Sequence, residues 1–176
     1  GLAQGGTIMG TVTDAATGAG IYRVTVQAYD ASGSEVASGL TTEAGVYTLI
    51  GLPTGTYYLR TSPADYSFVA EGYIHELYRD KPCPHGACTV TTGTGVSVTA
   101  GATTSGLDFE LAWGGSVAGV VTDAATNRPV DIVVRAYDAS GTFVASTFTR
   151  GARYEVDGLA TGTYFVRTDG GSSGYL

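Results

Sequence analysis

The chain of 176 residues has a single lysine, Lys81, two cysteines, two histidines and one methionine. No apolar run approaches the roughly 18 residues of a membrane span, which excludes insertion by a single apolar helix. Acidic side chains number 16 against 9 basic ones, a formal net charge of −7. Such a surface has no electrostatic hold on phosphate, so nucleic acid and anionic membrane are excluded as partners. Both histidines, His75 and His85, fall in one stretch. A base oriented by a carboxylate and aimed at a nucleophile would have to be built within a loop there. No nucleophile elbow is present. We therefore expect no catalytic residues, no cofactor and no enzyme activity.

What the chain does contain is 43 % hydrophobic residues, 12 tyrosines and 27 glycines. That is too much apolar and aromatic content for a disordered segment. Self-similarity is the dominant feature. Residues 10–17 read GTVTDAAT and residues 119–126 read GVVTDAAT. AYDASG at 28–33 recurs at 136–141, and GLPTGTYYLRT at 51–61 recurs as GLATGTYFVRT at 158–168. The spacing between matches shortens by one residue twice, each time within a turn-like stretch.

The repeat also sets the expected boundaries. Residues 2–8, LAQGGTI, align with residues 111–117, LAWGGSV. We expect residues 1–3 to be the tail of a preceding repeat, 4–112 a complete repeat and 113–176 a partial second one. The alternative is a two-domain protein whose second domain is truncated. The first methionine, Met9, lies inside a strand-like segment, with no basic start or apolar stretch of an export signal before it. The sequence thus reads as a mature or excised piece.

Alternation of period two recurs along both repeats. Val24, Val26 and Ala28 share one face, and Tyr47 with Leu49, Tyr57 with Leu59, Val96 with Val98, and Phe109 with Leu111 follow the same rule. Asp-, Gly- and Thr-rich turns separate these runs at spacings near ten residues. The prediction is an all-β chain of tandem antiparallel β-sandwiches, Ig-like in layout, with about seven strands per complete unit. Residues 64–81 are Gly-poor and Tyr-rich; they fit a strand or a helical turn, and the strand is the preferred reading.

Gly10-x-Val12-x-Asp14 with Gly18, Val24-x-Val26, Gly45-x-Tyr47 and Gly51-Leu52-x-x-Gly55-x-Tyr57 together resemble the carboxypeptidase regulatory-like (transthyretin- or prealbumin-type) domains. The signature returns between Gly119 and Tyr164. The resemblance implies a β-sandwich, an extracellular or cell-surface setting as a tandem module of bacterial proteins, and no catalytic residues of its own. Some related surface modules carry a Lys–Asn or Lys–Asp isopeptide crosslink. Here the single lysine is expected in a loop, and that chemistry is rejected.

In the exported setting so implied, Cys83 and Cys88 are expected to close a disulfide across Pro84–Ala87. The competing reading is a metal site with Cys83, His85 and Cys88 as ligands and His75 as a fourth. Asp14 and Asp123 occupy matching turns, as do Asp30 and Asp138. One carboxylate per turn is what turn capping alone supplies, and too few for calcium. Asn127 precedes Arg128-Pro129, so no N-glycosylation sequon exists.

The function expected is a non-catalytic structural unit of an extracellular filament or cell-surface stalk, self-associating or stacked end to end. Leu111 and Trp113 would form the inter-repeat junction. The alternative is an adhesin module, with Tyr66, Tyr73 and Tyr78 offering a platform for carbohydrate or another surface ligand. An accessory domain beside an enzyme is a third class, which the tandem register disfavours. A partial second sandwich would expose strand edges, closed by more of the same chain or by a neighbouring subunit.

Overall fold

A computed structural model of the chain describes residues 4–63, 72–83 and 88–169. Strand β1 (Gly6–Asp14) buries Gly6, Ile8, Gly10 and Val12 and turns the intervening residues outward. The same alternation drives β2 (Val24–Tyr29), where Val24, Val26 and Ala28 are fully buried. β3 (Glu35–Leu40) is an edge strand. In β4 (Val46–Leu52), Tyr47 and Leu49 point inward. The alternation then slips: Gly51 takes φ +80°, and Leu52 turns inward, 2 % exposed. Only glycine adopts that backbone without strain, which is why Gly-Leu occurs at this corner in both repeats. Gly158 has φ +65° and Leu159 is 3 % exposed.

β5 (Gly55–Pro63) follows, then the two-residue strands β6 (Glu76–Leu77) and β7 (Lys81–Pro82), then β8 (Gly95–Val98), β9 (Thr103–Thr104) and β10 (Phe109–Leu111). They build two layers. One has the order β10-β1-β4, with β9 also on β1; the other has β3-β2-β5-β6-β7, with β8 also on β5. Ile8, Val12, Val26, Tyr47, Leu59, Phe109 and Leu111 interleave between the layers as one core.

Two details depart from the expectations. The pairings of β1 with β9 and with β10 are parallel, while the other pairings are antiparallel. In the segment read as one strand, residues 64–71 lie outside the described residues, and the remainder makes only the short β6 before a turn at Arg79 and Asp80. Both turn residues have left-handed φ, +69° and +56°, which no strand can carry through. Lys81, expected in a loop, opens β7 beyond that turn.

Beyond residue 112 come β11 (Gly115–Val120), β12 (Val133–Tyr137), β13 (Phe143–Phe148), β14 (Arg153–Leu159) and β15 (Phe165–Asp169). They pair as β11-β14 and β13-β12-β15. The registers repeat those of the first sandwich. Gly119 lies opposite Tyr154 as Gly10 lies opposite Tyr47, with the same bulge two residues from the strand start. Outer-face chemistry repeats as well: the Arg60 guanidinium lies over Tyr29 at 5.1 Å and that of Arg167 over Tyr137 at 5.3 Å. Among the described residues there is no α-helix, and no helix long and apolar enough to cross a membrane.

Candidate functional site at the join between the sandwiches

The two sandwiches are linked by residues 111–115, and each of these residues is tied down. Leu111 is fully buried in the first core and pairs with Asp14 in the β1 register. Its carbonyl accepts the Ala15 N–H at 2.9 Å. The carbonyl of Ala112 accepts the Ile74 N–H at 2.9 Å, and the Gly114 N–H donates to the Gly72 carbonyl at 2.7 Å. Between them Tyr73 and Trp113 form an antiparallel bridge. Their rings meet edge to face, centroids 4.8 Å apart at 75°. Gly115 is already in β11, opposite Leu159.

Two glycines make the close approach possible. Gly72 has φ +95°, and a Cβ there would sit 2.6 Å from the Trp113 ring. A Cβ on Gly114 would sit 2.6 Å from the Gly158 backbone. Trp113, expected to pack between repeats, rests on Gly72 and Tyr73 of the first sandwich and stays 65 % exposed.

Asp14 anchors the same corner. One carboxylate oxygen accepts the N–H groups of Ala16 and Thr17 and the Thr17 hydroxyl, at 3.0, 2.7 and 2.8 Å. The other accepts the Tyr73 hydroxyl at 2.8 Å. The Tyr73 and Thr17 bonds hold the Asp14 carboxyl below its usual range. Burial, and then the bond to Asp14, push Tyr73 up to about 12. Asp123 caps its own turn in the same way, through Ala125 and Thr126. Asp30 and Asp138 do so through Ser32 and Ser140, whose hydroxyls lower both carboxyls.

Of the three tyrosines read as a ligand platform, Tyr66 lies outside the described residues. Tyr73 is half-buried in the contacts just given. Tyr78 is half-buried against the core, its ring centroid 5.9 Å from that of Phe109. Tyr73 and Tyr78 are thus engaged in packing rather than displayed for stacking.

Cys83 and Cys88 are joined as a disulfide, Cα atoms 5.3 Å apart, with Cys83 fully buried. The enclosed residues, His85 among them, lie outside the described residues. The Cys83 N–H donates to the carbonyl of buried His75 at 2.7 Å. Lys81 Nζ donates to the Thr92 carbonyl at 3.0 Å, drawing the turn around Val90–Thr92 towards β7. Among the described residues no group of three His, Cys, Asp or Glu side chains is placed to hold a metal ion.

Sequence reasoning passed over Gly72 and Glu76. Glu76 is 7 % exposed, its carboxyl accepts the Glu110 backbone N–H, and among the described residues Oε1 has no hydrogen-bond partner. Burial, reinforced by Asp80, pushes its carboxyl up to about 8. Nothing in the run His-Glu-Leu-Tyr marks a glutamate that will be buried.

No curated protein matches the chain. Solved structures of similar shape include the Bacillus anthracis TIE protein, at 18 % identity and TM-score 0.43. The chain covers 93 % of its own length there and 28 % of that protein. A streptococcal ancillary pilin is 14 % identical with TM-score 0.44, over 92 % of this chain and 52 % of that one. A variant of the shaft pilin SpaA from Lactobacillus rhamnosus GG is 11 % identical with TM-score 0.38, over 99 % and 90 %. The chain therefore spans about a quarter and a half of the first two. The family model for the carboxypeptidase regulatory-like domain matches residues 7–112. With most of its length covered by that match and its strands folded into the β-sandwich expected of it, the chain belongs to the carboxypeptidase regulatory-like domain family.

Proposed function

We propose that the chain is a non-catalytic structural module of an extracellular filament or cell-surface stalk, its sandwiches stacked end to end in a longer self-associating array. The observation that carries this reading is the join. From Leu111 to Gly115 each residue is held by core burial, a backbone hydrogen bond or a strand pairing. A linker between independently moving domains is flexible and makes few contacts. A join without slack transmits orientation from one sandwich to the next, which is what a stalk or fibre needs. In such arrays each unit contacts mainly its neighbours, so stability accumulates locally. The acidic, lysine-poor surface supports a partner that is protein rather than nucleic acid.

Residual dipolar couplings measured separately for the two sandwiches test the proposal. The expected result is one shared alignment tensor, lost when two Gly-Ser pairs are inserted after Trp113. Independent tensors in the unaltered chain would overturn it. Electron microscopy of the native material should show filaments or stalks rather than isolated particles.

A further inference from the structure

The turn between β13 and β14 carries a charge arrangement that the first repeat lacks. Residues 150–153 read RGAR where residues 42–46 read TEAGV. The turn is one residue shorter, has no glutamate, and has arginine in the places of Thr42 and Val46. Gly151 and Ala152 both take left-handed φ, +59° and +71°, as a two-residue hairpin turn requires. That turn sets Arg150 directly opposite Arg153, each donating its N–H to the other's carbonyl, at 2.9 and 3.3 Å. The side chains of such a pair leave the same face about 5 Å apart, and like charges there repel. Among the described residues Arg135 pairs with Asp169 at 2.8 Å, but neither Arg150 nor Arg153 has an ion pair. Asp131 turns instead to the Ala152 N–H and the Thr149 hydroxyl, at 3.3 and 3.4 Å.

Arg150 and Arg153 line a cleft of about 670 Å³ together with Val120, Phe148, Tyr154 and Glu155. Phe148 and Val120 are 56 % and 62 % exposed, an apolar wall beside the two cations. Glu155 lies two residues along β14 from Arg153 and makes no ion pair with it. The strands that complete only the first sandwich do not close this corner. There residues 107–111 approach β1 from the side away from β4. The Leu107 carbonyl lies over Gly10 and accepts the Tyr47 hydroxyl at 2.6 Å, and Asp108 accepts the Thr11 hydroxyl at 2.8 Å. The corner on the β4 side stays open even so, with Leu40 49 % and Val46 37 % exposed. Phe148 and Arg153 occupy those two places in the second repeat.

We propose that this cleft is a docking site for an acidic segment of a partner protein. One carboxylate of the segment lies between the Arg150 and Arg153 guanidinia, and an apolar side chain next to it covers Phe148 and Val120. The carboxylate removes the repulsion between the two arginines and offers two oxygens to their planar, fixed N–H groups. The composition of the wall favours a protein segment over a polyanion. A sulfated or phosphorylated polymer needs cations repeated along its path, and here the path beyond Arg153 meets Glu155. A carboxylate with an aromatic or aliphatic neighbour uses both the charged and the apolar part of the cleft. The site does not depend on how the sandwiches stack, so the inference goes beyond the structural-module reading without resting on it.

The test is an NMR titration of the isotope-labelled chain, at low salt, with the acetylated and amidated peptide Ser-Gly-Phe-Glu-Gly-Ser. The expected result is saturable shifts at Val120, Phe148, Arg150 and Arg153. Binding should weaken at least about tenfold in the Arg150→Gln, Arg153→Gln double variant, and equally when the peptide carries glutamine for glutamate. The free double variant should melt at a higher temperature than the parent, because the like-charge pair is gone. No saturable shift at millimolar peptide, or equal binding of the glutamine peptide, would overturn the proposal. So would tighter binding of a sulfated disaccharide than of the peptide, or a lower melting temperature of the double variant, which would make the pair a structural feature. None of these results alters the dipolar couplings that report on the join.

Discussion

Tyr73 meets the Trp113 ring edge to face, centroids 4.8 Å apart, and donates its hydroxyl to Asp14 at 2.8 Å. One side chain thus fixes the strand end of the first sandwich and the first residue beyond it. Gly72→Ala puts a methyl group 2.6 Å from the indole, on a backbone at φ +95°. We expect the Gly114 N–H, bonded to the Gly72 carbonyl, to lose at least about tenfold of its hydrogen-exchange protection, while β2 and β12 keep theirs. Unchanged exchange at Gly114 would show that the clasp does not hold the join.

Buried threonine hydroxyls pin matching corners in both sandwiches. Thr41 donates to the Ile21 carbonyl at 2.6 Å and accepts the Val24 N–H at 2.8 Å. Thr149 does the same for Val130 and Ile132, at 2.9 and 2.7 Å. Thr41→Val or Thr149→Val leaves a buried donor and a buried acceptor unmet, at a cost of about 2–3 kcal/mol each. Thr→Ser keeps both bonds and should lose about 1 kcal/mol through the missing methyl group. Urea denaturation of the four variants checks the order.

The pH dependence of stability is expected to centre on Glu76, whose carboxyl faces Asp80 and Glu110 and is raised from 4.5 to about 8. The folded chain keeps a proton that the unfolded chain gives up. The contribution is therefore complete below about pH 4.5 and is lost as pH rises towards 8. The slope is at most about 1.4 kcal/mol per unit and is reduced by the residual solvent contact of the site. Glu76→Gln should flatten this slope and raise the melting temperature at pH 8 but not at pH 4. Parallel wild-type and variant curves from pH 4 to 8 would refute the assignment.

Reducing the Cys83–Cys88 bond should do little to the core. A loop this short returns about 2 kcal/mol of chain entropy to the unfolded state, and Val26, Tyr47, Leu59 and Phe109 pack without reference to it. The expected readout is a modest fall in denaturation midpoint with faster proteolysis between residues 83 and 88. Global unfolding on reduction would show the bond to be essential.

Much of the fold was legible because the signal is local. Val24, Val26 and Ala28 alternate in the sequence and are buried in the structure, and the turns around Asp14 and Asp30 are written in their own residues. The parallel placing of β10 on β1 was not legible. It depends on Leu107 finding Gly10 and Tyr47, residues far apart in sequence whose fit is steric. At the candidate site the sequence pointed to Leu111 and Trp113 through the repeat boundary. It was silent on Gly72 and Glu76, because a glycine chosen for a neighbouring indole and a glutamate chosen for a distant N–H leave no periodicity.

The parallel course of β1 and β10 has a mechanical meaning. Tension entering at Gly6 and leaving at Leu111 pulls neighbouring strands in opposite directions along their length. Their cross-links are then loaded together rather than opened one after another from an end. A sandwich wired this way resists stretching through its terminal strands, and a thread made of such beads would yield by losing whole beads before its ties slackened.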